Sequence, residues 1–248
     1  MFFSSLKQIT SDEIILYHHL GLGDIVICNG MVNYLSTIYS KVYLIVDEKY
    51  RSQCEYLYSQ NNKVNILSNV PDSHNNLDHF ALSSSTNLGV PILRVGWENR
   101  FRKYFKTPFY VAFYNQVKLP YSYSYKYFAL PDASENELLL LENLFEYYKI
   151  DETKKIILIH NEASDKIFNL KTENNNIIFV EKKSDPFNNM FLYRSIIKNV
   201  NEIHCINSSF IHFVDRLNSV PNLYYHHIRG SKLKLKKTWK IINYANKN

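Results

Sequence analysis

Glycine is scarce in this sequence, and its few positions are unevenly spread. The chain has six glycines among 248 residues, and Gly21, Gly23 and Gly30 all fall within one stretch, HHLGLGDIVICNGMVNYLS, at 18–36. Glycine has no side chain and adopts backbone angles that other residues avoid, so it serves where a chain approaches another group closely. A strand that ends in Gly-x-Gly at the start of a helix predicts a loop whose backbone meets a ligand.

Cysteine is rare, and long apolar segments are missing. The three cysteines, Cys28, Cys54 and Cys205, cannot all pair with one another, and those in apolar runs are predicted to be small buried residues in a reducing compartment. The first residues, MFFSSLKQITSDE, lack a long apolar core and a small-residue cleavage site. No run approaches the ~18 apolar residues that span a bilayer. We expect a soluble, cytoplasmic protein.

Acidic residues are the minority among the charges. The 23 Asp and Glu against 29 Lys and Arg give a formal net charge of +6, which favours anionic partners such as phosphates. The basic residues are scattered until the final segment, and no zinc-ligand spacing, basic heptad region or RNA-binding aromatic signature occurs. We therefore expect no nucleic-acid partner. The 46% of hydrophobic residues indicates a folded chain with a sizeable core.

Strand-like and helix-like segments alternate in the first half of the chain. The predicted strands are 14–18, 41–47, 63–67 and 90–96, and the predicted helices are 24–39 and 48–60. Such alternation is typical of a parallel sheet covered by helices. An aromatic stretch at 97–128, helical in spacing at its start and broken by prolines, is predicted to close this domain.

The second half repeats the alternation. The predicted strands are 154–160, 175–181, 202–207 and 222–227, and the predicted helices are 133–148, 188–198 and one that begins at Ser208. The basic end, KLKLKKTWKIINYANKN, is predicted to be a closing helix that packs back on the first domain. We therefore expect an α/β protein with Rossmann-like domains at 1–130 and 131–230, followed by a closing helix at 231–248.

The glycine loop differs from the usual dinucleotide-binding fingerprint. That fingerprint has a third glycine at the position of Val26, although Asp47 ends the next predicted strand as the fingerprint requires. An NAD-dependent oxidoreductase therefore stays open as a third interpretation.

Two motifs carry a resemblance to a known family. GLGDIVICNGMVNYL resembles the N-terminal motif of nucleotide-sugar glycosyltransferases of the two-domain B architecture, especially the heptosyltransferase-like group. EIHCINSSFIHFVDRL, at 202–217, is similar to a C-terminal signature of the same class, in which small polar residues open a helix at the donor phosphates. The resemblance implies two Rossmann-like domains that face each other across a cleft, with the acceptor on the first and the donor on the second.

The resemblance also implies a role for Asp24. In that family the aspartate of the glycine loop is the base that takes the proton of the acceptor hydroxyl, which implies an inverting reaction. At a helix N-terminus the dipole is expected to keep the carboxylate ionised and to make it a weaker base. The alternative is that Asp24 is an N-cap. His18 and His19 precede the glycines, and one of them is expected to face the cleft as an alternative base or acceptor contact.

The donor side is expected where NSS opens the helix. Asn207, Ser208 and Ser209 offer hydroxyls and free backbone N–H groups, which suit a pyrophosphate. The alternative is that Ser208 only caps the helix. No Asp-x-Asp motif occurs in the sequence. We therefore expect neither a metal ion nor a cofactor, with the nucleotide diphosphate sugar as substrate.

Further donor contacts are expected after the strand at 154–160. His160 and Asn161 stand at its carboxyl end, where open α/β sheets place their ligands, and Lys166 nearby is positioned to meet phosphate. Arg194 is a candidate because arginine forms bidentate phosphate contacts. The alternative is that His160 is an ordinary surface or hydrogen-bonded histidine and that Arg194 coats a helix surface.

These features together predict a metal-independent glycosyltransferase with a glycan or glycolipid acceptor. The alternative from another class is a non-catalytic nucleotide- or glycan-binding protein on the same fold. The basic tail, with Lys232, Lys234, Lys236, Lys237 and Trp239, suggests weak contact with an anionic membrane surface, against the simpler interpretation of a solvated face.

Overall fold

The chain is an α/β protein with two parallel sheets. The computed structural model divides it into two compact units, Met1–Pro131 and Asp132–Asn248. Each unit contains a five-stranded sheet of parallel strands among the described residues. Those residues are 1–19, 21–69, 74–96, 108–163, 166–170, 172, 176–218, 222–228 and 232–244.

The sheet of the first unit has the strand order β1-β5-β2-β3-β4. Its strands are β1 (Phe2–Phe3), β2 (Glu13–Tyr17), β3 (Lys41–Asp47), β4 (Val64–Asn69) and β5 (Ile92–Arg94). The helices of this unit are α1 (Leu22–Ile38), α2 (Arg51–Leu57), α3 (His74–Leu88), α4 (Phe109–Gln116) and α5 (Tyr123–Lys126). Residues 97–107, the first part of the predicted aromatic stretch, lie outside the described residues.

Strand β2 lies at the centre of this sheet and leads into α1. Its residues from Ile14 to Tyr17 are fully buried, and Ile15 pairs with Tyr43 on one side and Ile92 on the other. A strand covered on both faces is expected to be apolar throughout, as this one is. Helix α1 is buried without a break from Ile25 to Val32. The short loop between two buried elements therefore fixes where α1 begins.

Gly30 has a packing role in α1. A Cβ atom placed on it would lie 2.9 Å from the Cα of Ser124 and would collide with the carbonyl oxygen of Tyr123. The hydroxyl of Ser124 in α5 supports this contact by donating to the carbonyl of Ile27 at 3.1 Å, and the hydroxyl of Tyr114 in α4 donates to the same carbonyl at 2.7 Å. Gly30 is therefore needed for the close crossing of α1 and α5, whereas Gly21 is the N-cap of α1 and Gly23 lies in its first turn.

The sheet of the second unit has the order β10-β9-β8-β6-β7. Its strands are β6 (Ile157–His160), β7 (Ile177–Phe179), β8 (Glu202–Cys205), β9 (Asn222–His227) and β10 (Lys240–Asn243). The helices are α6 (Glu135–Tyr147), α7 (Arg194–Asn199) and α8 (Ser209–Arg216), with a 3-10 helix at Met190–Tyr193. Strands β6 and β8 are neighbours, and His160 aligns with Cys205 at their carboxyl ends.

The predicted closing helix is wrong for the described part of the tail. Residues 232–239 form no helix, and β10 joins the second sheet parallel to β9. The sequence KLKLKK alternates with a period of two, with Lys232 and Lys234 exposed and Leu233 partly buried between them. This is the pattern of an extended chain, whereas a helix repeats every 3.6 residues.

Asp215 on α8 anchors this tail. Its buried carboxylate accepts hydrogen bonds from the backbone N–H groups of Lys236 and Lys237, at 2.9 and 3.0 Å, and from the indole N–H of Trp239 at 3.0 Å. Trp239 is 8% exposed. In this conformation the ring of Trp239 cannot contact a membrane surface. A contact with anionic lipid would have to come from the exposed lysines.

A series of hydrogen bonds joins β8, β9 and Tyr244, the residue that follows β10. Glu202 pairs with Lys155 at 2.6 Å and contacts His204 Nε2 at 3.4 Å. His204 Nδ1 lies 2.8 Å from His226 Nε2, and His226 Nδ1 lies 2.7 Å from the hydroxyl of Tyr244. Because the carboxylate only accepts, the series is satisfied in one direction when both imidazoles carry their hydrogen on Nε2 and Tyr244 donates. The two histidines are buried and serve the sheet.

Two further observations bear on the sequence predictions. Cys28, Cys54 and Cys205 are all buried and form no disulfide, which agrees with the burial predicted for the cysteines in apolar runs. Among the helices in the described ranges, none combines the length and the apolar character that crossing a membrane requires.

Candidate functional site

The loop between β2 and α1 brings Gly21 and Asp24 together. Gly21 is the N-cap of α1, with extended backbone angles, and Asp24 is in the first turn of that helix. The carboxylate of Asp24 folds back and accepts a hydrogen bond from the backbone N–H of Gly21. This is the carboxylate half of a capping box, in which a side chain in the first turn reaches back to the cap. Asp24 is thus not itself the N-cap.

The environment of Asp24 makes it a stronger base than the sequence predicted. Burial raises its pKa to about 6, and the hydrogen bond from Gly21 only partly opposes this shift. The prediction of a carboxylate weakened by the helix dipole is therefore wrong, because desolvation dominates here. The residue is still partly exposed. A carboxylate with this pKa is mostly ionised at neutral pH and accepts a proton more readily than an ordinary aspartate.

The two histidines before the loop have different surroundings. His18 is fully buried, and its Nδ1 contacts the carbonyl oxygen of His19. A carbonyl only accepts, so Nδ1 carries the hydrogen, while Nε2 is buried with no hydrogen-bond partner among the described residues. Burial lowers the pKa of His18 to about 4. His19 is partly exposed and packs edge-on against Phe113, at 5.4 Å between ring centroids.

At the carboxyl edge of the second sheet, His160 and Ser208 meet. His160 ends β6, Ser208 follows the end of β8, and the Ser208 hydroxyl lies 3.1 Å from His160 Nδ1. The imidazole also stacks on the ring of Phe210, with centroids 5.2 Å apart and planes 10° apart. Burial lowers the pKa of His160 to about 4, so the imidazole is neutral at physiological pH.

Ser208 occupies the N-cap position of α8 but does not cap the helix with its side chain. Its hydroxyl is turned to His160. The alternative that Ser208 only caps the helix is therefore correct for its position, but its side chain makes no capping hydrogen bond. Asn207 and Ser209 are partly exposed beside it. The first-turn N–H groups of α8 donate no hydrogen bond to the side chain of the cap residue, which suits an anion.

Asn161 shapes the loop that carries Lys166. The side chain of Asn161 donates to the carbonyl of Phe168 at 2.8 Å, and the N–H of Phe168 donates back to the carbonyl of Asn161 at 2.9 Å. Lys166 is exposed, with its Nζ 4.7 Å from the centroid of the Phe168 ring. Asn161 thus has a structural role, and Lys166 is presented to solvent close after His160 in the chain.

Arg194 has a structural partner. Its Nε donates to the carboxylate of Glu137 at 3.0 Å, and a second nitrogen pairs with the other oxygen. The hydroxyl of Ser195 donates to the same carboxylate at 3.1 Å. Because Glu137 is fully buried, losing this cation would leave an uncompensated charge between α6 and α7. The structure thus places Arg194 against Glu137 and not in the group formed by His160 and Ser208.

Asp47 and Val26, which stand at two positions of the dinucleotide-binding fingerprint, have structural roles in this protein. Asp47, the candidate ribose contact, accepts the backbone N–H of Lys49 at 3.2 Å and pairs with its Nζ at 2.8 Å. Val26 is completely buried in α1, where the fingerprint has a glycine. These contacts do not favour nicotinamide binding.

Sequence reasoning missed Phe210, which completes the group around His160. Its ring is fully buried and also meets the edge of Tyr193, at 5.7 Å between centroids. The signal was an aromatic residue directly after the serine pair in NSSF. Within the described ranges, no three or more His, Cys, Asp or Glu side chains are grouped so that they would hold a metal ion.

Comparisons with known proteins bear on the fold. No protein-family model and no curated protein matches the sequence. Among solved structures, the chain is similar to a glycosyl transferase family 9 protein from Veillonella parvula, with a TM-score of 0.60. The match covers 96% of this chain and 89% of that one, at 9% sequence identity. At this identity the likeness shows a shared fold, and it agrees with the prediction of an α/β protein.

Proposed function

We propose that this protein is a glycosyltransferase that moves a sugar from a nucleotide diphosphate sugar to a hydroxyl group of a glycan or glycolipid. The observation that carries the proposal is the carboxylate of Asp24, partly exposed at the start of a buried helix and with its pKa raised to about 6. The similarity to a glycosyltransferase structure and the two sequence motifs support it.

Asp24 acts as the general base on the acceptor side. It takes the proton of the acceptor hydroxyl as the oxygen attacks the anomeric carbon, and the bond from that carbon to the diphosphate breaks. The electron pair leaves with the diphosphate, and the single displacement inverts the anomeric centre. A base whose pKa lies near the working pH is both ionised and basic enough for this transfer.

The second unit binds the donor. The N-terminus of α8 with Asn207 and Ser209 offers N–H groups and a hydroxyl to the diphosphate, and exposed Lys166 supplies positive charge. These groups stabilise the charge that grows on the leaving diphosphate. We propose that no divalent cation is required, because the sequence lacks an Asp-x-Asp motif and these groups supply the positive field.

The proposal assigns the acceptor to the first unit and the donor to the second. It is tested by incubating the protein with a panel of nucleotide diphosphate sugars and candidate glycan acceptors, and measuring the nucleoside diphosphate released. Asp24→Asn is expected to bind nucleoside diphosphates as the wild type does and to abolish transfer. Asp12→Asn, an exposed aspartate of the same unit, is the matched control and is expected to keep full activity.

The outcomes separate the candidate functions. Unchanged transfer in Asp24→Asn would contradict the assignment of the base. Binding measured by calorimetry, with neither transfer nor donor hydrolysis by the wild type, would identify a non-catalytic nucleotide-binding protein instead.

A further inference from the structure

Helix α4 packs against the chain on both sides of the start of α1, where Asp24 lies. Before that point, His19 meets the ring of Phe113 edge-on, with 5.4 Å between ring centroids. After it, the carbonyl of Ile27 accepts a hydrogen bond from the hydroxyl of Tyr114 at 2.7 Å. Helix α4 is therefore a neighbour of the turn that carries Asp24.

Helix α4 also runs along the carboxyl edge of the first sheet. The side chain of Gln116 donates to the carbonyl of Ser4, after β1, at 3.2 Å, and to the carbonyl of Arg94, at the end of β5, at 2.6 Å. Phe113, earlier in the helix, contacts His19, which follows the end of β2. The strand order is β1-β5-β2, so α4 followed backwards from Gln116 passes from β1 towards β2.

Phe109 is the first residue of α4 and lies further in this direction. A helix advances about 1.5 Å per residue, so Phe109 is about 6 Å from Phe113 along the helix axis. Its ring contacts the rings of Phe113 and Tyr110, with 5.6 and 5.4 Å between centroids. Phe113 is 3% exposed, whereas Phe109 is 57% exposed and is the most exposed phenylalanine among the described residues.

The position of the Phe109 ring matters more than its exposure. Single exposed apolar side chains are common on protein surfaces. Phe109, however, lies at the carboxyl edge of a parallel sheet, where open α/β folds bind their ligands. Ligand sites combine an aromatic surface with a few polar groups. The partly exposed side chains of His19 and Asp24 are such groups at the same edge.

We propose that Phe109 is the platform on which a sugar ring of the acceptor stacks, close to the turn that carries Asp24. The inference rests on the proposed function and names a binding residue for the acceptor. The face of an aromatic ring is negative, and one face of a pyranose presents C–H groups, so the two faces attract each other. The contacts of Phe109 with Phe113 and Tyr110 hold the ring, which lowers the entropy lost when the sugar binds.

The binding test needs no catalytic activity and uses the full chain with ¹³C-labelled phenylalanine. The ring resonances of Phe109 are assigned by their loss in Phe109→Leu. The probes are the methyl glycosides of glucose, galactose, mannose and N-acetylglucosamine, with the open-chain sorbitol as the control. At least one glycoside is expected to shift the Phe109 resonances and to show upfield shifts of its own C–H protons, and sorbitol is expected to do neither. If none of the four glycosides shifts the Phe109 resonances, the inference is overturned.

The kinetic test separates acceptor binding from the chemical step. Phe109→Ala is expected to raise the KM for the acceptor about tenfold. The kcat and the KM for the donor are expected to stay as in the wild type. Phe109→Trp keeps an aromatic face and is expected to keep the acceptor KM. Leu88→Ala, which removes another exposed apolar side chain of the first unit, is the matched control and is expected to change none of these constants.

The two proposals fail in different ways. An equal acceptor KM in the wild type and a folded Phe109→Ala would overturn the role of Phe109 and leave the glycosyltransferase proposal standing. Glycoside binding at Phe109, with neither transfer nor donor hydrolysis, would overturn the glycosyltransferase proposal and leave a glycan-binding platform. If Phe109→Ala does not fold, Phe109→Leu decides the question, because it keeps the apolar bulk without the aromatic face.

Discussion

Gly21 and Asp24 are matched to each other: a Cβ atom on Gly21 would lie 2.9 Å from the Oδ2 of Asp24. The backbone angles of Gly21, φ −68° and ψ 149°, are open to any residue. Glycine is therefore required here for space and not for conformation. The atom in the way is the end of a side chain, which moves at small cost, so a substitution displaces the carboxylate and leaves the fold intact.

Gly21→Ala is accordingly expected to lower the rate of transfer strongly and the stability little. A displacement of about 1 Å in a reacting group costs on the order of a hundredfold in rate. The melting temperature is expected to stay close to that of the wild type. Steady-state kinetics and thermal unfolding on the same preparation check this, and full activity would show that the position of the carboxylate is unimportant.

The transfer rate is expected to depend on the ionisation of Asp24. Its pKa is raised to about 6, so the base is lost as the pH falls through that value. We expect kcat/KM to be level above pH 7 and to fall about tenfold per pH unit well below pH 6. Any residual activity of Asp24→Asn should lack this limb. A profile that is flat between pH 5 and 7 would exclude Asp24 as the essential base.

The same pKa shift predicts that ionisation of Asp24, which the transfer reaction needs, lowers the stability of the fold. A group whose pKa is higher in the folded state destabilises the fold once it is ionised, and this cost appears as the pH rises from its unfolded pKa to its folded pKa. Asp24→Asn removes the cost and is expected to raise the free energy of unfolding by on the order of 1–2 kcal/mol at pH 8. Urea unfolding at pH 8 and pH 4 tests this, because the gain should vanish at the lower pH.

Much of the fold could be predicted because the buried strands are short apolar runs. β2, β3 and β6 are examples, and the structure has them close to the predicted bounds. Helix α3 was not predicted, because its segment HNNLDHFALSSSTNL is largely polar and buries few side chains, Leu77 and Ala81 among them. The tail was misassigned because its period of two was taken for a helical pattern.

The site was only partly predictable, for a reason that lies in tertiary structure. His160 and Ser208 were each found at the end of an apolar strand, but their contact depends on β6 and β8 being neighbours in register. Sequence order does not reveal that adjacency. Likewise, the raised pKa of Asp24 comes from burial in the folded unit, which the sequence does not reveal. The helix dipole could be predicted from the sequence, because the helix itself was predicted.

Gly30→Ala is expected to destabilise the protein although alanine is the better helix former. Helix propensity alone favours alanine by about 1 kcal/mol. The added Cβ would meet the backbone of Tyr123 and Ser124, which cannot move as a side chain does. We expect a net loss of about 1–3 kcal/mol, the usual cost of overpacking. Denaturant unfolding measures it, and an increase in stability would show that α1 and α5 are not tightly packed.

The histidines of the second sheet predict acid sensitivity. Burial lowers the pKa of His226 to about 4 and also lowers that of His204, so the folded protein binds fewer protons than the unfolded chain. Their contribution to stability is complete above pH 6.5 and is lost as the pH falls towards 4. His226 alone is expected to account for a fall of about 1 kcal/mol per pH unit in that window.

His226→Gln should lower the stability at pH 7.5 but flatten this fall, whereas the exposed control His79→Gln should keep the slope of the wild type. Urea unfolding at pH 7.5, 6, 5 and 4.5 measures the slopes, and equal slopes in all three proteins would mean that His226 titrates normally in the fold.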